Sequence, residues 1–274
     1  MNWKPTIKKL LAGSGWKLLR MGGRRPEEPR IAVIMYHSVG NGAIMSIDKH
    51  VFEEQLSRVR EMFADILTVR ELAGHSAPVQ SWSACITFDD GFSDNHEIVL
   101  PLLKKYDLVA TFFICSGFVE GEHDISRRFR NYHNMRPMNW GQVRELVSEG
   151  MEIGAHTHSH PVLSRLSPMG QEEEMLRSRR LIEERVGVSV DSFAIPFGNR
   201  GTYTRETLEL ASRHFHACCT TRFATNPALP ARHNGMLVLD RVEPKPTDEL
   251  KTFEAKILGR WDAMRWLQRI YHGL

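Results

Sequence analysis

Two adjacent carboxylates, Asp89 and Asp90, end an apolar run in residues 86–91 (ITFDDG). Neighbouring side chains at the end of a strand point in different directions, so one aspartate could hold a metal ion while the other acts as a base. Two like charges this close cost free energy unless a cation or a proton lies between them. A turn is the alternative interpretation, because Asp-Gly favours tight turns and an aspartate can cap the next helix.

Three histidines, His156, His158 and His160, lie within residues 154–161 (GAHTHSHP). Imidazole is the commonest metal-binding side chain near neutral pH. His156 and His160 can meet on one side of a single turn, whereas His156 and His158 would share a face if the preceding strand continued. One aspartate and two histidines would form a three-ligand site with open positions, as catalytic metal sites have, and the other aspartate could be the general base. The alternative is a row of solvated loop histidines.

Short apolar runs alternate with amphipathic stretches along the chain, which is the pattern of parallel β/α units. The predicted strands are 31–36, 84–88, 109–114, 152–155, 192–195, 217–221 and 236–239. The predicted helices are 51–63, 95–106, 140–148, 171–186, 204–214 and 247–258. We expect an α/β fold that closes into a barrel, with a doubly wound open sheet as the alternative. In either fold, functional residues lie at the carboxyl ends of the strands, where both motifs stand.

The two motifs in this order resemble those of the polysaccharide deacetylase family, the NodB-homology or carbohydrate esterase 4 group. Residues 87–91 match the first family motif at every position, and 156–160 fit the pattern H-[ST]-x-x-H. The resemblance covers about residues 31–245 and implies a distorted (β/α)7 barrel. It implies that Asp89 is the catalytic base and that His158 is not a ligand. The implied ligands of a divalent metal, most often zinc with cobalt or nickel as alternatives, are Asp90, His156 and His160.

Five further positions follow from the same resemblance. Phe197, after Pro196, fits the position whose backbone N–H helps to hold the oxyanion, and Pro196 would line the substrate site. Ala194 stands where many members have an arginine that orients the base, and Arg241 could supply that cation instead. His37 looks like the acid histidine of members in which it has moved to the N-terminal end by circular permutation. The alternatives are a buried strand ending in a turn, an ordinary surface arginine and an inert histidine.

Residues 116–138 are predicted to form a long loop that overhangs the site. Arginine suits the recognition of phosphate or carboxylate groups. We therefore expect substrate contacts from three residues of this loop: Arg127, Arg128 and Arg130. A solvated loop without contact to substrate is the alternative.

Composition and charge give the domain organisation. The chain has 274 residues, of which 42% are hydrophobic, and its net charge is +3. Residues 1–30 carry +6 and 255–274 carry +3, which leaves −6 for 31–254. We therefore predict a basic amphipathic N-terminal arm (1–30), a deacetylase-like domain (31–254) and a basic amphipathic C-terminal helix (255–274). An acidic body with two basic ends argues against a nucleic-acid groove.

Basic amphipathic ends are typical of helices that lie on anionic membranes, although docking on the barrel or on another subunit would use the same pattern. The sequence has no apolar run of membrane-spanning length and no secretory signal, and its four cysteines form no CxxC pair. The predicted location is cytoplasmic, with peripheral contact to the inner membrane as a hypothesis.

The expected function is that of a metal-dependent hydrolase that acts on an acetylated carbohydrate. It would remove N-acetyl groups from an amino sugar in a cell-surface glycan or exopolysaccharide, or in its lipid-linked precursor. One alternative is a deformylase or an O-deacetylase with the same machinery. The other is a glycan-binding protein that has lost catalysis, since the base-orienting arginine and the later family motifs are missing.

Overall fold

The computed structural model describes residues 27–129, 132 and 135–262. Its strands are β1 (Arg30–Tyr36), β2 (Ser38–Val39), β3 (Ser46–Ile47), β4 (Asp65–Ile66), β5 (Ser83–Asp90), β6 (Thr111–Ile114), β7 (Glu152–Ala155), β8 (Ser192–Ala194), β9 (Ala217–Cys219), β10 (Asn226–Pro227), β11 (Arg232–His233) and β12 (Met236–Leu239). Its α-helices are α1 (Lys49–Met62), α2 (Val69–Gly74), α3 (Leu100–Lys105), α4 (Ser116–Glu120), α5 (Ile125–Arg128), α6 (Trp140–Ser148), α7 (Pro168–Val186), α8 (Arg205–Ser212) and α9 (Leu250–Ile257).

Seven parallel strands curl into a distorted barrel in the order β1-β5-β6-β7-β8-β9-β12. The last residues of the barrel return to β1 through Val242, which pairs in parallel with Ile34. Met35 N donates to Val242 O at 2.9 Å, and Val242 N donates to Val33 O at 2.7 Å. The predicted α/β barrel of seven strands is confirmed, and each predicted strand is present.

The barrel strands are buried on both faces, and their side chains alternate between two apolar layers. On β5, Ile86 and Phe88 belong to the large core between strands and helices, whereas Cys85 belongs to the small core inside the barrel. Thr87 and Asp89 are two and four residues after Cys85, so they lie on the same face of the strand, toward the barrel interior. The structure also extends this strand through both aspartates, although the sequence predicted that it would end at residue 88.

Three helical regions differ from the prediction, and the first is α2, which lies where no helix was predicted. The helix predicted over 95–106 begins as a π-helix, Asn95–Val99, and continues as α3. The region predicted as one long loop, 116–138, contains α4 and α5. Local signals explain both short helices: Gly121, with φ of 85°, ends α4, and the side chain of Asp124 caps α5 by accepting from the backbone N–H groups of Ser126 and Arg127.

Most of the two predicted basic ends lies outside the described residues. The predicted domain boundary at residue 254 falls inside α9, which is joined to α1 by an ion pair between Glu254 and Arg58 (2.6 Å). No helix in the described part of the chain is long and apolar enough to cross a bilayer.

Candidate metal centre and catalytic site

Asp90, His156 and His160 come together at the carboxyl ends of β5 and β7. The Nε2 atoms of both histidines lie 3.4 Å from Asp90 Oδ1, and all three residues are buried. Among the described residues, neither carboxylate oxygen of Asp90 has a hydrogen-bond partner. A buried carboxylate without partners is costly. A cation bound by these three side chains would remove that cost, so the residues fit the divalent metal that the family resemblance implies.

Backbone contacts orient the two histidines. His156 Nδ1 lies 2.8 Å from Ala194 O, so this nitrogen carries the proton and donates it, which leaves Nε2 free as a ligand atom. The backbone N–H of His160 donates to Thr157 Oγ1 at 3.1 Å. The ring centroids of the two histidines are 5.0 Å apart. The ring of His156 is therefore held by a hydrogen bond, whereas His160 Nδ1 has no hydrogen-bond partner among the described residues and the ring of His160 is held by packing.

The backbone around this centre is strained. Positive φ angles are uncommon outside glycine and are costly for bulky side chains. Four site residues that are not glycine have them: Asp90 (77°), Thr157 (62°), His160 (54°) and Phe197 (63°). Such angles persist only where the surrounding contacts hold the chain, and these four flank the candidate metal position.

Glu174 of α7 holds the histidine loop. Its Oε2 accepts from the backbone N–H of His158 (3.0 Å) and of Ser159 (2.8 Å), and its Oε1 accepts from the hydroxyl of Ser159 (2.7 Å). This role could not be predicted from the sequence, because Glu174 follows two other glutamates in a helix and resembles part of a solvated face. The helix thus anchors the loop that carries the candidate ligands His156 and His160.

Asp89 forms a buried ion pair with Arg241. Two parallel hydrogen bonds of 2.7 Å join Nη1 to Oδ1 and Nη2 to Oδ2. Arg241 also donates through Nε to Thr220 O at 2.9 Å. Burial opposes ionisation of Asp89, but Arg241 and His156 outweigh it and hold the pKa of this carboxyl below its usual value. Asp89 is therefore ionised, as a general base must be.

His37 follows β1 at the same end of the barrel and is half-buried. Its charge contributes to lowering the pKa values of both Asp89 and Asp90, so it lies within electrostatic reach of them. Its ring centroid is 6.2 Å from that of Tyr132. Tyr132 is buried, and burial together with Asp90 raises its pKa well above the usual value. No motif in the sequence pointed to Tyr132, which stands alone in the arginine-rich region.

Asp94 fixes the loop that follows His37. Its carboxylate accepts from the Ser38 hydroxyl (2.7 Å), the Val39 backbone N–H (3.1 Å) and the Asn41 side-chain amide (2.8 Å). Asp94 stands at the N-terminal cap position of the π-helix Asn95–Val99, but its side chain makes no capping hydrogen bond within the described residues because it is occupied by this loop.

Phe197, in the loop after β8, packs against His160, one of the candidate metal ligands. Its ring lies edge-on to those of His160 (centroids 4.8 Å apart) and Phe129 (5.6 Å). The Thr221 hydroxyl donates to Phe197 O at 2.5 Å, and Pro196 beside it is buried. These contacts hold the backbone of the turn, and the predicted oxyanion contact of the Phe197 N–H stays a prediction.

The three arginines predicted to contact substrate have different surroundings. Arg127 pairs with Asp124 at 2.9 Å and is exposed. Arg128 Nη1 donates to the carbonyls of Ser159 (3.1 Å) and His160 (3.4 Å), so it braces the histidine loop. Arg130 lies outside the described residues. Substrate contact by these residues stays a prediction.

Comparisons with known proteins identify related sequences. A family model for polysaccharide deacetylase matches residues 76–216, which include both motifs. YxkH of Bacillus subtilis, named as a polysaccharide deacetylase, is 28% identical over 238 residues, which are 85% of this chain and 78% of that protein. A poly-beta-1,6-N-acetyl-D-glucosamine N-deacetylase of Staphylococcus aureus is 30% identical over 123 residues, which are 44% of this chain and 40% of that protein.

A solved structure shares the fold. Deacetylase PplD of Streptococcus pyogenes, in complex with acetate, superposes with a TM-score of 0.68 at 24% identity. The superposition covers 84% of this chain and 99% of that one. At this identity the likeness concerns the barrel architecture.

Proposed function

The chain belongs to the polysaccharide deacetylase family, and on that basis we propose that it is a metal-dependent hydrolase that removes N-acetyl groups from an amino-sugar polysaccharide. The substrate would be a cell-surface glycan or exopolysaccharide, or its lipid-linked precursor. The observation that carries the proposal is the buried carboxylate of Asp90, which faces two imidazoles and has no hydrogen-bond partner among the described residues. Beside it, the carboxylate of Asp89 is paired with the guanidinium of Arg241. The Staphylococcus aureus relative, whose name specifies an N-acetylglucosamine polymer, supports the choice of an N-acetyl group.

The metal would be held by Asp90, His156 and His160. Zinc is the first candidate, and cobalt and nickel are alternatives. When bound, a divalent metal supplies Lewis-acid chemistry, because it polarises a carbonyl and makes water more acidic. The hydrogen bond from His156 Nδ1 to Ala194 O presents Nε2 for this purpose.

The remaining steps use side chains and backbone of this chain. Asp89 accepts a proton from the attacking water, and Arg241 keeps that carboxylate ionised and oriented. The Phe197 N–H donates to the oxyanion that develops on the acetyl carbonyl. His37 donates a proton to the departing nitrogen as the C–N bond breaks. The products are acetate and a free amino sugar.

We also propose peripheral contact with an anionic membrane surface through the two basic ends. The support is the charge of +6 in residues 1–30 and of +3 in 255–274, together with their aromatic and aliphatic residues. The cytoplasmic location stays a prediction.

The decisive experiment measures bound metal and acetate release with a soluble N-acetylglucosamine oligomer. We expect Asp89→Asn to keep the metal and to lose turnover about 10²- to 10⁴-fold. His156→Ala should lose turnover together with one equivalent of metal. His75→Ala, an exposed histidine at the end of α2, is the control and should match the unchanged protein. Acetate release that survives chelation of the metal, or formate release from a formylated sugar in its place, would contradict the proposal.

A further inference from the structure

A second group of metal-binding side chains lies on the other side of the histidine loop. The ligand atoms of Glu122, His123 and His158 lie within 4.8 Å of one another. His158 Nε2 is 3.0 Å from Glu122 Oε2, and the ring centroids of His123 and His158 are 5.2 Å apart. His158 is buried, whereas the other two are exposed on the loop after α4. The proposed deacetylation uses none of these three residues.

Gly117 in α4 holds the three residues together. Its carbonyl accepts from the backbone N–H groups of Glu122 (2.8 Å) and His123 (2.9 Å), and its own N–H donates to His158 O at 2.9 Å. A Cβ atom at this position would lie 2.7 Å from His123 Cδ2 and 3.1 Å from His158 Nε2. The absence of a side chain therefore lets both imidazoles approach the same point, and the arrangement is built by the backbone.

The hydrogen bonds of His158 are compatible with metal binding. Its Nδ1 lies 3.0 Å from Ser116 Oγ. A hydroxyl can donate or accept, so Ser116 can pair with either tautomer of the imidazole. When Nδ1 carries the proton and donates it to Ser116, the Nε2 lone pair is free to bind a metal beside Glu122. This is the outer contact that metal-binding histidines commonly have.

We propose that Glu122, His123 and His158 bind a second divalent transition metal of the zinc class. Two imidazoles and one carboxylate are donors that suit Zn²⁺, Ni²⁺ or Cu²⁺, whereas Ca²⁺ and Mg²⁺ require sets of oxygen ligands. The site is separate from the Asp90 centre and does not depend on the proposed deacetylation. A metal bound here would join the loop after β6 to the loop after β7, and so would stabilise the folded chain by mass action.

Arg177 provides a way to test the site. Its Nη2 lies 2.6 Å from Glu122 Oε2, so it competes with a metal for this carboxylate. If the three residues form only an ion-pair network, removing Arg177 has no effect on metal binding. If they form a metal site, Arg177→Met removes a positive charge next to the cation, and Zn²⁺ should bind about fivefold more tightly.

The experiment counts Zn²⁺ per chain by metal analysis after gel filtration and measures affinity by calorimetric titration. We expect two Zn²⁺ ions for the unchanged chain, one for His123→Ala, one for His156→Ala and none for the double variant. Glu122→Gln should weaken the second site at least about tenfold. His75→Ala is the matched exposed-histidine control and should keep both ions.

Two outcomes would overturn the second site. The unchanged chain could bind a single ion that His123→Ala keeps, or His123→Ala and Glu122→Gln could both keep two. Circular dichroism of each variant separates loss of a ligand from loss of the fold. Because His123→Ala leaves the Asp90 centre intact, its zinc count tests this site whatever the result of the acetate assay.

Discussion

Asp89 and Arg241 are 152 residues apart in the sequence, yet their side chains form a buried ion pair with two hydrogen bonds of 2.7 Å. Asp90, the next residue along the chain, faces the two histidines instead. The two carboxylates therefore have opposite surroundings: one has a fixed guanidinium, and the other has no partner of that kind among the described residues. This division allows neighbouring acids to serve as base and as metal ligand.

Replacing Arg241 should be costly because it leaves the Asp89 charge buried and unpaired. We expect Arg241→Met to lower the free energy of unfolding by about 3–5 kcal/mol and to abolish measurable acetate release. Arg241→Lys should lose less stability, since it keeps the charge without the bidentate geometry. Urea unfolding and the acetate assay measure the two effects. Arg205→Met removes an exposed ion pair with Glu209 and should cost no more than about 1 kcal/mol; equal losses for Arg205→Met and Arg241→Met would contradict the role given to the buried pair.

Glu174 should act on the metal centre through the histidine loop. Glu174→Gln replaces a carboxylate that accepts three hydrogen bonds, so the loop is less well held, and metal affinity should fall about 10- to 100-fold. Titration of the metal-free protein with Zn²⁺ measures the effect. Glu173→Gln changes an exposed neighbour on the same helix and should leave affinity unchanged. Identical affinities for the two variants would show that the loop does not need this anchor.

Arg128 and Arg127 are adjacent arginines with different contacts, so their variants can be compared directly. Because Arg128 donates to the carbonyls of Ser159 and His160, Arg128→Met should weaken metal binding severalfold. Arg127→Met removes an exposed ion pair with Asp124 and should have little effect. Zn²⁺ affinity and KM for the oligosaccharide are measured for both. If Arg128→Met raises KM alone, the residue binds substrate, as the sequence predicted, and does not brace the loop.

Glu152 should make stability depend on pH. It is buried at the start of β7, and burial raises its pKa above the ordinary value of 4.5 despite hydrogen bonds from Ser192, the Arg70 backbone and Thr111. Between the ordinary and the raised pKa, the folded chain holds a proton that the unfolded chain has lost. This residue's contribution to the free energy of unfolding therefore falls as pH rises through that window, by at most about 1.4 kcal/mol per pH unit.

Urea unfolding across this pH range, compared with Glu152→Gln, isolates the contribution of Glu152. For Glu152→Gln, the free energy of unfolding should lack this part of its dependence on pH, because an amide does not titrate. Parallel curves for the two proteins would mean that Glu152 has the same pKa in the folded and unfolded chains.

Membrane contact through the basic ends can be tested by sedimentation with lipid vesicles. We expect the full chain to sediment with anionic vesicles at low salt and to be released from them at high salt. It should not bind neutral vesicles. Deletion of residues 1–22 should reduce binding while acetate release from a soluble oligosaccharide is unchanged. Binding that is insensitive to salt and to this deletion would count against the proposal.

The barrel could be predicted because its strands are short apolar runs that are buried on both faces, and this pattern is local. The end of β5 could not be predicted, since two adjacent aspartates are unfavourable in a strand and only their partners at the barrel end make them acceptable. The helices α4 and α5 were missed because five and four residues are too few for a helical pattern.

The candidate site, like the fold, could be predicted from the sequence only in part. Both motifs are contiguous in the sequence, so their residues could be identified together. The contact of Arg241 with Asp89 depends on how the last strand returns to the first, and only the missing arginine at Ala194 gave a reason to look for it. Glu174 and Tyr132 act through contacts with distant loops, which leave no trace in the residues around them.

Arg241 immediately precedes Val242, the residue that pairs with β1 and completes the barrel. The same two residues therefore close the barrel and place a guanidinium beside Asp89. A chain that lacks residues 241 and 242 would contain both histidines, but Asp89 would have no guanidinium beside it and the barrel would not close. Truncation before Arg241 therefore removes the closure of the barrel and the cation of Asp89 together.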